Sequence, residues 1–471
     1  MRFWTDLDVV DLLVLCAFLV LARAIAARLP GFRRLAMPPA VLAGALALLC
    51  GPSGLELVSL GHHTLEAVVY HGLALVFLCL GLQSMETTGG GHGARSVALG
   101  IPLLTCGQAL LGLLVVLAWS SFVAPLHPGV GLMLPLGFSQ GPGQALSMGS
   151  AWEQMGMVSG AQIGLTVAAL GYLVCIVFGL AMFHGARRFG WADAPAPTPG
   201  QPTARDEAGS AQESRPSASA PVMEPLMGQV ALVGTLYLLV YLALSTTAGA
   251  LADKPQVAAM IWGFHFLFAI ILATMLRAAL RTLRWTAVTE DALLGRLGGV
   301  AVDLTAAAAV AAIQIEAVAA FAAPIAALVV PGTLATLGSC LWLAKRAFPE
   351  RPFAHALVLF GTLTGTLPTG MTLLRLEDPG LRGAAARSMI VGVALSIIPA
   401  APLLVKLLPM PVFDWPESYP GAVWQTVGLL GVYMIGLLVL WRVIGPLRMV
   451  GSPLSLWPRD SHPLARDHVG S

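Results

Sequence analysis

Long apolar runs recur along almost the whole chain, and eleven of them approach or exceed twenty residues. A run of that length is sufficient to cross a bilayer core of about 30 Å. Because lipid offers no hydrogen-bond partner to a free backbone amide or carbonyl, each crossing must be an α-helix. We predict spans at 8–27, 37–56, 64–83, 96–124, 157–184, 226–251, 256–280, 297–321, 322–344, 383–409 and 423–445.

A polar stretch at 187–225 separates the first five spans from the rest. It has a proline-rich run at 194–200, several serines and few large apolar residues. Such a segment cannot bury enough surface to fold, which indicates a flexible cytoplasmic linker. We therefore divide the chain into a first half, a linker, a second half, and a C-terminal part with an extra span and tail, at 1–186, 187–225, 226–409 and 410–471.

Two apolar segments are interrupted by glycine, proline and hydroxyl residues. Residues 131–151 are centred on Gly137–Gln144, and residues 355–374 are centred on Gly361–Gly370. Helix breaks at such positions, which leaves two short arms and predicts a re-entrant hairpin in each half.

The two halves repeat the same order of elements. The first and sixth spans, the two hairpins, and the fifth and tenth spans are each separated by roughly 220 residues. Five spans per half is an odd number, so the second half must be inverted relative to the first. The predicted fold is an all-α polytopic membrane protein built from an inverted repeat, the recurrent architecture of secondary transporters.

The positions of the basic residues agree with this topology. With the N-terminus outside and the C-terminus cytoplasmic, all but three of the 26 Lys and Arg residues lie on the cytoplasmic side. The exceptions are Arg2, Lys254 and Lys406. The chain is 57% hydrophobic and only 11% charged, and its net charge of +2 is too small to indicate a nucleic-acid partner.

The interrupted segments also carry the candidate chemistry. A broken helix exposes unpaired amides at its N-terminal end, where the helix dipole adds partial positive charge. A small carboxylate can therefore bind there without a buried Lys or Arg. The candidate substrate residues are Ser139, Gln140, Gly141, Gly143, Gln144, Thr364, Gly365, Thr366 and Thr369. The same residue types are also typical of close helix packing.

Oxygen-bearing residues in the spans suit a dehydrated sodium ion. The candidates are Thr362, Thr364, Gln83, Gln314 and Glu316. A carboxylate in the membrane should face protein, water or an ion, so Glu316 is alternatively a proton carrier. The cysteines have no metal-binding spacing, so we expect no metal beyond sodium and no cofactor. No span presents an arrangement typical of an intramembrane enzyme, so we expect no enzyme activity.

Several short motifs carry a resemblance to a known family. They are Met37–Gly44 at the second span, Leu80–Gln83 at the end of the third, Ser139–Gly143 followed by Ala151 and Trp152, and Pro368–Gly370 leading to Leu373–Pro379. Over residues 5–409 the chain resembles the bacterial sodium/glutamate symporter family. That resemblance implies a homodimer in the bacterial inner membrane, two re-entrant hairpins meeting at the substrate, and sodium-coupled uptake of glutamate.

The chain departs from the family pattern at two places. Gln140 and Pro142 interrupt the glycine-rich first hairpin, and Ser396 and Pro399 stand where the family has an acidic residue and an amide. Three functions therefore stay open. The first is sodium symport of glutamate or a related small carboxylate, the second is proton-coupled transport of another organic anion, and the third is a non-transporting receptor or scaffold.

Overall fold

The structure of the chain is a computed structural model. It describes residues 7–29, 37–84, 91–191, 225–381, 383–413, 415–444 and 455–457. Across these residues the regular structure is helical and contains no strand, which confirms the all-α prediction. Most of the predicted linker and of the C-terminal tail lies outside the described residues.

The described residues of the first half form seven α-helices. They are α1 (Leu7–Arg28), α2 (Pro39–Cys50), α3 (His62–Leu82), α4 (His92–Phe122), α5 (Pro128–Pro135), α6 (Pro142–Glu153) and α7 (Gly160–Phe189). A π-helical turn, Leu136–Gln140, continues α5 up to the break before α6. Helix α2 has 12 residues and is about 18 Å long, so the predicted span 37–56 is wrong in extent. The consecutive Gly51 and Pro52 end this helix early.

The described residues of the second half and of the C-terminal part, which begins at residue 410, contain the remaining helices. They are α8 (Pro225–Gly249), α9 (Pro255–Gly263), α10 (His265–Thr282), α11 (Asp291–Ala311), α12 (Ile315–Ala319), α13 (Ala322–Ala347), α14 (Pro352–Leu374), α15 (Ala384–Pro402), α16 (Met410–Phe413) and α17 (Gly421–Ile444). The predicted seventh span is thus two helices, and the eighth ends at Ala311 rather than near 321. Helix α15 contains Pro399 and Pro402 and passes into a π-helical turn, Leu403–Leu407.

Eleven helices among the described residues are long and apolar enough to cross a membrane. Their number equals the predicted number of spans, but they are not the same eleven segments of the chain. Helix α14, which corresponds to the predicted second hairpin, is one of the eleven, whereas α2 is too short to be included.

Helix α14 changes direction in its middle. Gly365 and Thr366 have non-helical backbone angles, with φ −149° and ψ 22° at Gly365. A Cβ built on Gly361 would lie 2.6 Å from the Cα of Gly370, although nine residues of continuous helix would separate the two by about 13 Å. The arms 352–364 and 367–374 therefore fold back against each other.

The α5–α6 segment also folds back. A Cβ built on Gly129, near the start of α5, would lie 3.0 Å from Cε3 of Trp152, near the end of α6. The chain reverses between the π-helical turn and α6, at Gly141. Each interrupted segment is therefore a helical hairpin, whose tip is the break between its two arms.

The buried apolar side chains form three clusters within the described residues. The largest joins α4, both hairpins, α7, α13, α15 and α17. A second cluster joins α1, α2, α3 and α11, and a third joins α3, α8, α10 and α11. Small side chains permit close approach within the second cluster, where a Cβ on Gly44 would lie 2.6 Å from the carbonyl oxygen of Ala307.

Helices α7 and α15, which correspond to the fifth and tenth predicted spans, have different neighbours. Helix α7 contacts both hairpins, through Gly164 against Ala145 of α6 and Gly171 against Thr364 of α14. Helix α15 lies along α4, where a Cβ on Gly392 would lie 2.8 Å from the carbonyl oxygen of Ala94. Helix α7 therefore packs against both hairpins, whereas α15 packs mainly against α4.

Candidate functional site

The two hairpin tips touch each other. A Cβ built on Gly141, at the first tip, would lie 2.6 Å from Cγ2 of Thr366, at the second tip. Both residues have the same unusual backbone conformation, with φ 89° and ψ 176° at Gly141 and φ 74° and ψ 164° at Thr366. Two matching helix breaks from distant parts of the chain thus meet at one point.

Thr366 is strained in this conformation. This part of backbone space belongs almost entirely to glycine, and a residue held there costs of order 1–3 kcal/mol. The second tip packs against α7, since a Cβ built on Gly365 would lie 3.1 Å from Cδ1 of Tyr172 and 3.3 Å from Cβ of Cys175. Helix α7 therefore holds the second tip by side-chain contacts. Strained residues fixed in this way occur mainly at functional sites.

The second arm of each hairpin begins at the tip. Helix α6 starts at Pro142, directly after Gly141, and the amide of Ala145 is the first to bond back to the Gly141 carbonyl. The amides of Gly143 and Gln144 come before that bond and have no acceptor within the helix. The second arm of α14 starts next to Thr366 in the same way. Two helix N-termini, each with partial positive charge, are therefore adjacent.

Side chains of the first tip are hydrogen-bonded to neighbouring oxygen atoms. Ser139 Oγ donates to the Pro135 carbonyl at 2.8 Å and accepts from Thr105 Oγ1 of α4 at 3.2 Å. Gln140 Nε2 donates to Ser139 Oγ at 3.4 Å. Ser139 and Gln140 are only half-buried, so they remain accessible at the tip.

The threonines of the second hairpin differ in what their hydroxyls do. Thr364 Oγ1 donates to the Phe360 carbonyl at 2.8 Å, and Thr369 is buried. Thr362 Oγ1 is buried without a hydrogen-bond partner among the described residues, and the same is true of Gln144 Oε1 in the first hairpin. Buried oxygens of this kind usually pair with a donor or a cation. All nine predicted substrate residues, with Thr362, therefore lie in the two hairpins.

Gln108 of α4 belongs to this region but is absent from the sequence prediction. Its Nε2 donates to the Leu363 carbonyl at 2.9 Å and to Thr336 Oγ1 of α13 at 3.0 Å. Leu363 is in the last turn before the break, where helical donors are missing. The Gln108 amide thus caps the first arm of α14. In the sequence, the feature that could have indicated this role is a single glutamine inside the apolar run 96–124.

The other predicted ion residues do not reach the tips. Gln83 ends α3, Gln314 lies between α11 and α12, and Glu316 is exposed on α12. The backbone N–H of Gln314 donates to Gln162 Oε1 at 2.8 Å, and the side-chain Nε2 of Gln162 donates to Glu66 Oε1 at 2.7 Å. The Gln162 side chain thus accepts the hydrogen bond that the Gln314 backbone N–H would otherwise donate within a continued helix. This bond accounts for the end of α11 at Ala311. Gln314 is therefore part of a separate bridge to α7 and α3.

The histidines inside the spans have packing partners. Tyr70 Oη donates to the carbonyl of Trp262 at 2.7 Å, at the break between α9 and α10. His265 Nε2 donates to the Tyr70 carbonyl at 2.9 Å, and His71 Nδ1 is 2.5 Å from Tyr237 Oη. The Tyr70 hydroxyl therefore satisfies a carbonyl at the helix break, and the two histidines join α3 to α10 and α8. Within the described residues, no three His, Cys, Asp or Glu side chains form a group that could hold a metal.

An all-helical chain with eleven helices of membrane-crossing length and composition is a multi-pass α-helical membrane protein. Comparison of the chain with protein-family models and with curated proteins finds no match. The assignment of a function therefore depends on the residues of the site.

Proposed function

We propose that the protein is a secondary active transporter that carries glutamate or a related small carboxylate together with sodium. The contact between the two hairpin tips, Gly141 against Thr366, is the observation that carries this proposal. Secondary transporters build their sites from discontinuous helices that meet at the interface of two repeats. If the two helix breaks served only packing, they would not need to meet. A strained threonine at their contact would not be needed either.

The carboxylate is proposed to bind between the two helix N-termini. The free amides of Gly143 and Gln144, with those at the start of the second arm of α14, supply donors and partial positive charge. Ser139, Gln140 and Thr366 are half-buried, and their hydroxyl and amide groups are available to the part of the substrate beyond its carboxylate. The Thr364 hydroxyl is committed to its own helix, so Thr364 contributes through its backbone.

Sodium is proposed to bind at oxygens of the hairpins. Thr362 Oγ1 and Gln144 Oε1 support this assignment, since both are buried and lack a hydrogen-bond partner among the described residues. In α15, Ser396 Oγ donates to the Val393 carbonyl at 2.6 Å, and the Pro399 carbonyl accepts from Tyr433 of α17. Neither oxygen is unpartnered, unlike Thr362 Oγ1 and Gln144 Oε1, so the hairpins are the favoured location for the ion.

The arrangement in the membrane is part of the same proposal. The first hairpin enters and leaves on the outer side and the second on the cytoplasmic side, so that the halves form an inverted repeat. The folding back of both hairpins and the shared backbone conformation of their tips support this. An outside N-terminus, a cytoplasmic C-terminus, a homodimer and a bacterial inner membrane stay predictions.

Thermodynamic linkage between sodium and the carboxylate tests the proposal. Binding of glutamate to the purified protein should tighten as sodium rises, and sodium binding should tighten equally with glutamate. Thr362→Val should abolish the sodium dependence and keep the packing, because valine has nearly the same shape. Thr372→Val is the matched control, since Thr372 is only half-buried and its hydroxyl donates to the Pro368 carbonyl of its own arm.

The alternatives give different results. Proton coupling through Glu316 predicts binding that is indifferent to sodium and a pH dependence that Glu316→Gln removes. The exposed position of Glu316 on α12, away from the tips, argues against it. A receptor or scaffold predicts binding without substrate counterflow in proteoliposomes. Absence of counterflow for glutamate and a panel of organic acids would refute transport.

A further inference from the structure

The C-terminal part of the chain follows both proposed repeats and contacts the two hairpins at different places. Trp415, before α17, packs on His127, which follows the end of α4. Trp457, after α17, packs on the last turn of α13, where Ser96 near the start of α4 donates to the Ala347 carbonyl at 3.3 Å. Because α4 has 31 residues and is about 46 Å long, the two tryptophans lie at opposite ends of the molecule.

Trp415 packs against both ends of the first hairpin. Its ring lies edge-on to that of His127, directly before α5, with centroids 5.3 Å apart. A Cβ built on Gly156, shortly after α6, would lie 3.7 Å from Cδ1 of Trp415. Tyr419 is also edge-on to Trp415, at 4.9 Å. Trp415 therefore bridges the two connections by which the first hairpin joins the rest of the molecule.

Trp457 packs against the start of the second hairpin and against two helices beside it. Its ring stacks on that of Trp191, two residues after α7, with centroids 5.5 Å apart and planes at 19°. Phe353, in the first turn of α14, is edge-on to Trp457 at 6.3 Å. The Nζ of Lys345, in α13, lies 5.6 Å from the centroid of the Trp457 ring. Trp457 therefore joins the ends of α7 and α13 to the base of the second hairpin.

The segment that carries Trp457 has no regular secondary structure of its own. Residues 455–457 are in neither helix nor strand, and prolines at 453 and 458 flank them in the sequence. The segment is fixed by the ring contacts of Trp457 and by Arg346 Nη2, which donates to the Ser455 carbonyl at 2.9 Å. Its release would therefore break no hydrogen bond within α14. Segments of this kind open at a lower free energy than the helices on which they pack.

We propose that the described residues of 410–457 form a brace that fastens the two hairpins at their bases. Trp415 fastens the first hairpin and Trp457 the second, and release of either tryptophan frees the hairpin that it contacts. A hairpin moves about its base, so a contact there limits the movement of its tip. The brace therefore keeps the tips together at Gly141 and Thr366. This role does not depend on which substrate, if any, the protein transports.

Hydrogen–deuterium exchange of the full-length protein in lipid nanodiscs, followed by mass spectrometry, tests the brace. Trp457→Ala should speed amide exchange in the first arm of α14, at 352–364, by about tenfold, because a stacked and an edge-on aromatic pair are lost. Exchange in the first hairpin, at 128–153, should not change. Trp415→Ala should have the opposite pattern, so that each variant is the matched control for the other.

Further variants separate the ring contacts from a general loss of stability. Trp457→Phe and Trp415→Phe keep an aromatic ring and should stay within about twofold of wild type. Trp424→Ala removes an exposed tryptophan of α17 and should leave both hairpins unchanged. Trp191→Leu removes the stacked partner of Trp457 and replaces Trp457→Ala if that variant does not fold. The brace is overturned if the alanine variants exchange like wild type, if each speeds both hairpins and α10 alike, or if phenylalanine has the same effect as alanine.

Discussion

Substitution of Gly141 tests whether the hairpin tips meet. Gly141→Ala places a side chain on a residue with φ 89° and ψ 176°, which costs about 1–3 kcal/mol of stability. The new Cβ would also lie 2.6 Å from Thr366 Cγ2, and overpacking of this kind costs roughly 1–3 kcal/mol more. We expect a total loss of roughly 2–6 kcal/mol.

A second substitution separates these two costs. Thr366→Ser removes Cγ2 and keeps the hydroxyl. In the double variant Gly141→Ala/Thr366→Ser the overpacking should disappear, whereas the backbone cost at position 141 should remain. The double-mutant cycle should therefore give a favourable coupling energy of about 1–3 kcal/mol between the positions.

Equilibrium unfolding in mixed micelles, driven by increasing SDS, measures the four free energies of unfolding. Gly428→Ala on α17 is a suitable control, because its Cβ would meet nothing within 4 Å. That substitution should be neutral or stabilising by about 0.5–1 kcal/mol, as alanine is the better helix former. A coupling energy of zero, with Gly141→Ala as harmless as the control, would refute the contact and with it the proposed site.

Two further predictions concern the scaffold and the topology. Tyr70→Phe should cost about 1 kcal/mol by removing the hydrogen bond to the Trp262 carbonyl, whereas the exposed Tyr241→Phe should be neutral in the same SDS titration. On a cysteine-free background, Ser418→Cys should react with an impermeant maleimide from outside and Ser217→Cys should not. External labelling at Ser217, which lies outside the described residues, would contradict the predicted orientation.

Local sequence pattern accounts for much of the helix layout and fails where a tertiary contact replaces a helical bond. The apolar runs predicted eight of the eleven membrane-capable helices to within about five residues at each end. The eighth span was extended past Ala311, because Ile313 and its neighbours are apolar, whereas Gln162 from α7 captures the Gln314 amide. The seventh predicted span, 256–280, is continuous in the prediction. In the structure it is broken between α9 and α10, where the Tyr70 hydroxyl donates to the Trp262 carbonyl.

The candidate site was predicted in its parts and not in its assembly. Glycine and proline within 131–151 and 355–374 marked both breaks, because these residues disfavour helix wherever they occur. Their positions carry no information on which side chains from other helices surround them. Gln108 and Gln162 were missed because each is a single polar residue in an apolar run, and only their partners distinguish them from packing residues.

Hydropathy and helix-breaking residues act locally, so the amino-acid pattern is sufficient to predict an all-helical membrane protein with two interrupted segments. The contact between Gly141 and Thr366, the packing of both hairpins on α7 rather than α15, and the surface position of Glu316 follow from the three-dimensional arrangement. These outcomes depend on close packing between residues distant in the chain. A one-dimensional pattern of apolar and polar positions does not encode which helix faces meet.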